Sequence, residues 1–222
     1  MRRKLRQNGL SIVMLSLFIL SAVGQSITGY HEYNDDLKQH GQPGLGYVEY
    51  LGSGHFVEAI FENWESEFLQ MSAYVLLTAF LYQKGSPESK KLDEEEAVDK
   101  DPAKSGRKKA NAPWPVRRGG FILRIYEHSL TLTLFLLFLI SFALHAAGGA
   151  RLYSKEQALH GSPPVSTIQY IGTSRFWFES FQNWQSEFLS VGALVILSFF
   201  LRQKGSPESK PVDAPHSETG GE

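Results

Sequence analysis

The sequence predicts an all-α membrane protein with four transmembrane helices, arranged as two tandem parallel-repeat helical hairpins with extracytoplasmic caps. Three observations support this fold class. Charged and apolar residues are segregated, so that residues 7–31 and 128–150 contain no Asp, Glu, Lys or Arg. A shift of 120 residues aligns one half of the chain with the other. Basic residues are concentrated at the N-terminus and in the central connection.

The two long uncharged stretches predict the first and third transmembrane helices. A helix of about 20 apolar residues crosses the roughly 30 Å hydrocarbon core of a bilayer. The shorter uncharged runs, residues 68–83 and 188–201, would cover only roughly 24 and 21 Å as helix. They therefore need upstream residues to span, and residues 180–201 form such a span in which Glu187 is the only charged residue.

An internal repeat organises the chain. Residues 10–90 align with residues 130–210 without a gap, and 32 of the 81 positions are identical. FENWESEFL at residues 61–69 matches FQNWQSEFL at 181–189, and the segment QKGSPESK occurs at both 83–90 and 203–210. This register predicts a tandem duplication. It also predicts that the first apolar run is a retained helix rather than a signal peptide, because its equivalent lies in the middle of the chain.

The distribution of basic residues predicts the orientation. The N-terminus and the central connection carry most of the Lys and Arg, whereas the two loops within the hairpins hold only Lys38, Arg151, Lys155 and Arg175. Under the positive-inside rule, both termini and the connection are cytoplasmic. Each hairpin then enters and leaves on the same side, so the copies are related by a pseudo-two-fold axis along the membrane normal.

Local signals predict where the helices begin and end. Asn8 is a candidate N-cap for the first helix, and Gly41 and its equivalent Gly161 are expected to end the outward helices. Ser53 and Thr173 are candidate N-caps of the returning helices. We expect four segments: a two-helix membrane repeat at 1–85, a flexible cytoplasmic linker at 86–118, a second repeat at 119–205, and a disordered cytoplasmic tail at 206–222.

The FxNWxSEFL motif contains a candidate ion or proton site. The short uncharged runs place Glu67 and Glu187 in the outer leaflet or at its edge, and a carboxylate at that depth is costly. If the pseudo-two-fold axis brings them together, the pair would raise one pKa or bind a cation. Asn63 and Asn183 would flank this site.

A second interpretation of the same motif is structural, and we favoured it on the sequence alone. Glu67 and Glu187 would lie at the outer interface, with Trp64 and Trp184 as aromatic interface anchors. The amides would form interhelical hydrogen bonds. Spacing and symmetry leave the depth of the carboxylates open.

Composition and motif searches exclude several other functions. The chain has no cysteine, which excludes disulfides and thiolate metal sites, and its net charge of −1 does not favour nucleic-acid binding. No HExxH, P-loop, GxSxG or dinucleotide fingerprint occurs. His40 and His160 precede helix-ending glycines, and His145 aligns with Gln25, so no bis-histidine haem pair repeats. We therefore predict no catalytic residue, metal or cofactor.

The paired hairpins, the HGxP loop, FxNWxSEFL and the QKGSPESK helix end resemble small bacterial membrane proteins grouped as a family of unknown function, number 6766. The resemblance covers nearly the whole chain outside the linker and tail. It implies a multi-pass protein of the bacterial cytoplasmic membrane, and it implies no activity and no functional residues.

Three hypotheses for function follow from the residues. The first is a non-enzymatic structural or partner-binding envelope protein, whose partners would be the lipid bilayer and either a second copy or another envelope protein. The alternative is a small proton or cation pathway that uses Glu67 and Glu187. The third, weaker, hypothesis is a membrane enzyme handling lipid or quinone with His40 and His160. The QKGSPESK segments are either shared helix stops or binding sites for a partner or anionic lipid.

Overall fold

The computed structural model describes residues 7–105 and 111–220. Within these ranges the chain is all-helical and contains no β-strand. The predicted all-α class is therefore confirmed. In chain order the helices are α1 (Gly9–Gln39), α2 (Tyr47–Leu51), α3 (Gly54–Thr78), α4 (Pro102–Ser105), α5 (Trp114–Arg118), α6 (Gly120–Glu127), α7 (Ser129–Leu159), α8 (Thr167–Ile171) and α9 (Ser174–Leu197), with a 3-10 turn at Ala97–Asp99 between α3 and α4.

The same order of long, short and long helix occurs in both halves of the chain. Helices α1, α2 and α3 have 31, 5 and 25 residues, and helices α7, α8 and α9 have 31, 5 and 24 residues. Glycines in the left-handed region follow the first helix of each half, with φ of 68° at Gly41 and 71° at Gly161. These are the helix-ending positions that the sequence predicts, because glycine adopts positive φ without steric cost.

Two of the described helices, α1 and α7, are long and apolar enough to cross a membrane. Large side chains along α1 are exposed, including Leu10 at 79% and Leu20 at 69%. A continuous apolar surface of this kind is unfavourable in water and is typical of a surface that contacts lipid or another protein. Length, composition and exposure therefore support association with a membrane.

Contacts divide the chain into two compact units. Unit 1 consists of residues 1–61 and 143–177, and unit 2 consists of residues 62–142 and 178–222. Unit 1 contains the two outer segments that the sequence predicts as caps, and unit 2 contains the FxNWxSEFL and QKGSPESK segments.

Two tyrosines form the centre of unit 1. Tyr50 of α2 is 1% exposed and Tyr170 of α8 is fully buried. Each packs against a glycine of a long helix, Tyr50 on Gly29 and Tyr170 on Gly149, where a Cβ atom would overlap the tyrosine. The glycines are needed because only a residue without Cβ allows this close approach.

Polar side chains fix the loop that follows each outward helix. In the first loop, Leu45 N donates to Asn34 Oδ1 at 2.6 Å, and Asn34 Nδ2 donates back to Leu45 O at 3.2 Å. In the second loop, Val165 N donates to Ser154 Oγ at 3.0 Å, and Ser154 Oγ donates to Val165 O at 3.2 Å. In each pair the two residues are 11 positions apart, and the second pair lies 120 positions after the first. Asn34 and Ser154 therefore form equivalent hydrogen bonds although their side chains differ.

The returning helices begin at the predicted caps. Ser53 Oγ accepts from Phe56 N at 3.2 Å, and Thr173 Oγ1 accepts from Phe176 N at 3.3 Å. A hydroxyl at this position satisfies one of the amides that the first turn of a helix leaves without a partner. The prediction of Ser53 and Thr173 as N-caps is confirmed.

In unit 2, the two QKGSPESK segments form the same turn. Gln83 N donates to Ser89 Oγ at 2.8 Å, and Gln203 N donates to Ser209 Oγ at 2.9 Å. Each serine hydroxyl then donates to the carbonyl of the following lysine, at 3.1 and 3.2 Å. Helices α3 and α9 end at Thr78 and Leu197, before these segments begin, so the prediction that the segments are helix stops is wrong. The identity extends to the final lysine because the serine near the end of each segment closes the turn onto its start.

Hydrogen bonds join the segments that follow these turns, while the flexible linker at 86–118 and the disordered tail at 206–222 stay predictions. Gly85 N donates to Thr219 Oγ1 at 2.8 Å, and Gly220 N donates to Ser86 O at 3.0 Å. The ammonium of Lys210, 2% exposed, donates to carbonyls of the tail, including His216 O at 2.9 Å. The physical reason is that a buried ammonium must have its donors satisfied, and the tail folds around it to supply acceptors. Residues 106–110 of the linker and 221–222 of the tail lie outside the described ranges.

Candidate functional site

The strongest candidate site lies on one face of α3 in unit 2. Polar residues recur along this helix at Glu62, Ser66 and Gln70, spaced four residues apart, so they share a face. Glu65 and Ser72 lie on the flank of the same face. Four of these residues are buried: Glu65 is 0% exposed, Ser66 1%, Ser72 4% and Gln70 8%. We call residues 62, 65, 66, 70 and 72 the polar face of α3.

Glu65 is the most deeply buried carboxylate of this face. Its Oε1 atom accepts a hydrogen bond from Trp184 Nε1 of α9 at 2.9 Å. The indole ring also has Phe181 and Phe138 beside it, with ring centroids at 5.4 and 6.4 Å. A buried carboxylate requires hydrogen-bond donors, and the indole N–H can only donate. Glu65 is therefore held by an indole N–H whose ring packs on Phe181 and Phe138.

Glu62 provides the second carboxylate of the face. The side-chain amide of Asn183 donates to Glu62 Oε1 and also to Glu179 O at 3.2 Å. Asn183 is one of the four residues that we predicted for the ion or proton site. Its carboxylate partner is Glu62, which we did not predict.

The predicted pair Glu67 and Glu187 is close enough for the two carboxylates to interact electrostatically. Glu67 is exposed and Glu187 is half-buried. The fourth predicted residue, Asn63, has an exposed side chain, and its carbonyl accepts from Ser66 Oγ at 2.7 Å. The structure thus brings the two predicted glutamates near one another, but the carboxylate it buries on this segment is Glu65.

The two tryptophans of the motif are both half-buried. Trp184 is half-buried and donates to Glu65, as described above. Trp64 is half-buried on α3. The role of these residues as membrane-interface anchors stays a prediction, and the contact with Glu65 gives Trp184 a second role in positioning a carboxylate.

Glu62 and Glu65 were not predicted, because the prediction rested on positions that are identical in the two aligned halves of the chain. At these two positions the second copy has Gln182 and Gln185. The difference was itself a signal, since the first copy carries two additional carboxylates in an otherwise matching motif. A helical count from Glu62 through Ser66 and Gln70 would also have indicated a polar face.

A second group of polar residues lies at the end of α3, also in unit 2. Tyr74 OH donates to Glu88 Oε2 at 2.6 Å. The carboxyl of Glu208 lies within hydrogen-bond range of Glu88, and this contact together with the charge of Glu88 raises the pKa of Glu208. The two glutamates occupy equivalent positions of the two QKGSPESK segments. The structure therefore brings together a second pair of carboxylates from equivalent positions, in addition to Glu67 and Glu187.

Unit 1 contains its own buried polar group. Glu58, 6% exposed, accepts from Tyr170 OH at 3.0 Å. His145 is fully buried and stacks on Phe176 with ring centroids 4.8 Å apart. A carboxylate oxygen of Glu58 and a ring nitrogen of His145 lie within 4.8 Å of one another, and both are donor types that transition metals bind. The group takes one residue from each aligned half, and the equivalent positions, Phe178 and Gln25, do not form a second such group.

The other histidines that we considered lie at helix ends. His40 and His160 are both exposed, and His40 Nδ1 lies 3.0 Å from Asp36 O. These positions agree with the helix-ending role that the sequence predicts. The hypothesis of an enzyme that handles lipid or quinone with His40 and His160 stays a prediction.

The fold and the site define an all-helical protein with two helices apolar enough to cross a membrane and with carboxylates on a buried helix face. The model of one family, described as "Domain of unknown function (DUF6766)", matches residues 1–221. The chain belongs to this family, which confirms the resemblance found in its motifs. Neither a curated protein nor a solved structure matches the chain.

Proposed function

We propose that this protein is a multi-pass protein of the bacterial cytoplasmic membrane and provides a pathway for protons or a monovalent cation along the polar face of α3. The observation that carries the proposal is Glu65, a fully buried carboxylate held by Trp184 at 2.9 Å. The proposal assigns the protein no enzymatic activity.

Four spanning helices are part of this proposal. Helices α3 and α9 have 25 and 24 residues, or roughly 37 and 36 Å, which exceeds the roughly 30 Å of a hydrocarbon core. Helices α3 and α9 would span together with α1 and α7. The contacts that recur at an offset of 120 residues support two tandem hairpins, and the basic flanks support cytoplasmic termini.

The chemistry of the polar face supports transport rather than packing alone. A carboxylate within a bilayer costs on the order of 2–4 kcal/mol on insertion scales, so such residues usually serve a function. Glu62 and Glu65 offer two carboxylates within one turn of helix, and Ser66, Gln70 and Ser72 continue the face with groups that both donate and accept. Protons or small cations can pass between groups of this kind.

Flux through proteoliposomes tests the proposal. Purified full-length protein would be reconstituted, and proton, Na⁺ and K⁺ flux followed with ion-selective dyes under an imposed gradient. We expect flux in the wild type and its loss in Glu65→Gln, which keeps the shape of the side chain and an acceptor for Trp184. Glu67→Gln is the matched control, because it removes an exposed carboxylate two residues away on the same helix.

Each result decides between specific alternatives. Loss of flux in Glu65→Gln, with Glu67→Gln active, supports the polar face of α3. Loss in the double variant Glu67→Gln/Glu187→Gln, with Glu65→Gln active, would instead assign the pathway to the pair that the sequence predicts. The absence of flux from the wild type would overturn the transport proposal.

A non-enzymatic role in binding a partner is the second candidate. Val48 of α2 and Ile168 of α8 are 82% and 83% exposed and occupy equivalent positions of the two copies. Solvent-facing apolar residues repeated in this way favour contact with a second copy of the chain. The double variant Val48→Glu/Ile168→Glu should then reduce the oligomer mass measured by light scattering in detergent, and an unchanged mass would argue against this role.

A further inference from the structure

A cavity of about 270 Å³ opens beside the end of α3 in unit 2. Its walls are mostly apolar and aromatic, formed in part by Leu77, Leu81, Tyr82 and Val195. Glu88 and Tyr74 supply polar groups to the same cavity. This combination of an apolar wall with a few convergent polar groups is typical of a small-molecule site, although the volume is at the small end of the usual range.

The acidic end of the cavity has a buried oxygen atom without a partner. Glu88 Oε2 accepts from Tyr74 OH at 2.6 Å. Glu88 Oε1 is buried and has no hydrogen-bond partner among the described residues. Its neighbour Glu208 cannot serve as one when both groups are ionised, because a carboxylate has no donor. A buried, unsatisfied carboxylate oxygen is costly, so this atom requires a positive charge or a proton.

The lysines that end the two QKGSPESK segments are engaged elsewhere. Lys90 Nζ pairs with Asp99 at 2.6 Å and lies 5.6 Å from the centroid of the Tyr82 ring. Lys210 Nζ is surrounded by carbonyl oxygens of the tail, including Glu218 O at 3.1 Å. The acidic end of the cavity therefore keeps its negative charge. The contact of the Lys90 ammonium with the Tyr82 ring shows that this aromatic wall attracts a cation.

We propose that this cavity binds a small organic cation with an apolar substituent, whose positive charge lies against Glu88 and whose apolar part lies against Leu77, Leu81 and Val195. An inorganic cation fits less well, because divalent metal ions require about six oxygen ligands and the walls are largely hydrocarbon. A cationic ammonium with an apolar group satisfies both ends of the cavity. An anionic lipid headgroup is excluded by the two carboxylates.

The site belongs to one copy of the repeat. Leu194 occupies the position equivalent to Tyr74, so the second copy has no phenol to orient the carboxylate of its own motif. We therefore expect one site per chain. The inference does not depend on transport along α3, since binding at this cavity and flux are separate measurements.

Binding of benzyltrimethylammonium tests the inference. Isothermal titration of the full-length protein in a neutral maltoside detergent should give saturable binding with one site per chain. Glu88→Gln should weaken it by about tenfold or more, because the counter-charge is lost from a partly desolvated site. Asp93→Asn is the matched control, since it removes one exposed carboxylate from the same part of the chain and should leave the affinity unchanged.

Three results would overturn the inference. These are the absence of saturable binding to the wild type, equal affinity in Glu88→Gln, and an equal loss in Asp93→Asn, which would indicate general charge attraction. The absence of saturable binding would mean that a proton, and not an organic cation, lies between Glu88 and Glu208. A thermal melt of each variant shows that the fold is retained, and Glu88→Gln keeps an amide oxygen that accepts from Tyr74. Tyr74→Phe should weaken binding by a few fold, because it frees the carboxylate to rotate.

Discussion

The two copies of the repeat use one position in different ways. His55 of the first copy stacks on Tyr33, with ring centroids 4.6 Å apart, and its Nε2 atom lies 3.4 Å from Glu32. The equivalent residue of the second copy is Arg175, whose guanidinium lies 5.6 Å from the centroid of the Tyr153 ring and pairs with Glu156. Both are basic side chains placed between a tyrosine and an acid of the preceding long helix.

His55 and Arg175 differ in how their charge depends on pH. Arginine stays protonated at all physiological pH values. Burial lowers the pKa of His55, although the charges of Glu32, Asp36 and Glu156 oppose this effect. The two positions, 120 residues apart, thus share the geometry of the contact, while of these two side chains only His55 loses its proton as the pH rises. Substitutions at equivalent positions of the two halves measure how similar the contributions of these positions to stability are.

The largest effect is expected where a tyrosine packs on a glycine. A Cβ atom at Gly149 would overlap two ring carbons and the hydroxyl of Tyr170, whereas at Gly29 it would overlap the hydroxyl of Tyr50, with the nearest ring carbon at 3.4 Å. Overpacking costs up to about 3 kcal/mol, and the helix preference of alanine over glycine returns about 1 kcal/mol. Gly149→Ala should therefore lower the free energy of unfolding by about 2 kcal/mol, while in Gly29→Ala the two terms nearly cancel. Denaturant titration in detergent measures both, and equal losses would contradict the asymmetry.

A smaller effect is expected from the two tyrosine hydroxyls. Tyr170 OH donates to the buried carboxylate of Glu58 at 3.0 Å, and Tyr50 OH lies 3.4 Å from His55 Nδ1. Hydrogen bonds to charged groups contribute about 1.5–3 kcal/mol. Tyr170→Phe should thus destabilise the protein by about 1.5 kcal/mol, and Tyr50→Phe by less than about 0.5 kcal/mol. A loss in Tyr50→Phe as large as in Tyr170→Phe would show that the two caps are energetically alike.

The smallest effect is the pH dependence that His55 introduces. Its folded pKa lies below the ordinary value of 6.5, so the unfolded chain binds the proton more tightly. Stability from this group is complete above pH 6.5 and is lost as the pH falls from there towards the lowered folded pKa. His55→Gln should flatten the dependence of the melting temperature on pH in this window, and Arg175→Gln, as control, should leave its slope unchanged. An unaltered slope in His55→Gln would show that His55 does not titrate there.

Local sequence signals predicted the positions where one residue type is physically required. Gly41 and Gly161 end the outward helices because positive φ favours glycine, and Ser53 and Thr173 begin the returning helices because their hydroxyls accept from the first turn. The buried carboxylates were not predicted from such signals. Whether Glu65 or Glu67 is buried depends on which face of α3 meets Trp184, and helical spacing alone leaves that choice open.

The sequence by itself determined the all-α class, the alignment of the two halves at an offset of 120 residues, the ends of α1 and α7, the starts of α3 and α9, and membership of the family, because these depend on local conformational preference and on composition along the chain. Only the tertiary structure decided that Glu65 is held by Trp184, that Glu58 is held by Tyr170, and that Glu88 meets Glu208. Such pairings join residues that are 112–120 positions apart. They depend on how far each helix is rotated about its own axis, and that rotation is set by packing between side chains rather than by any one segment.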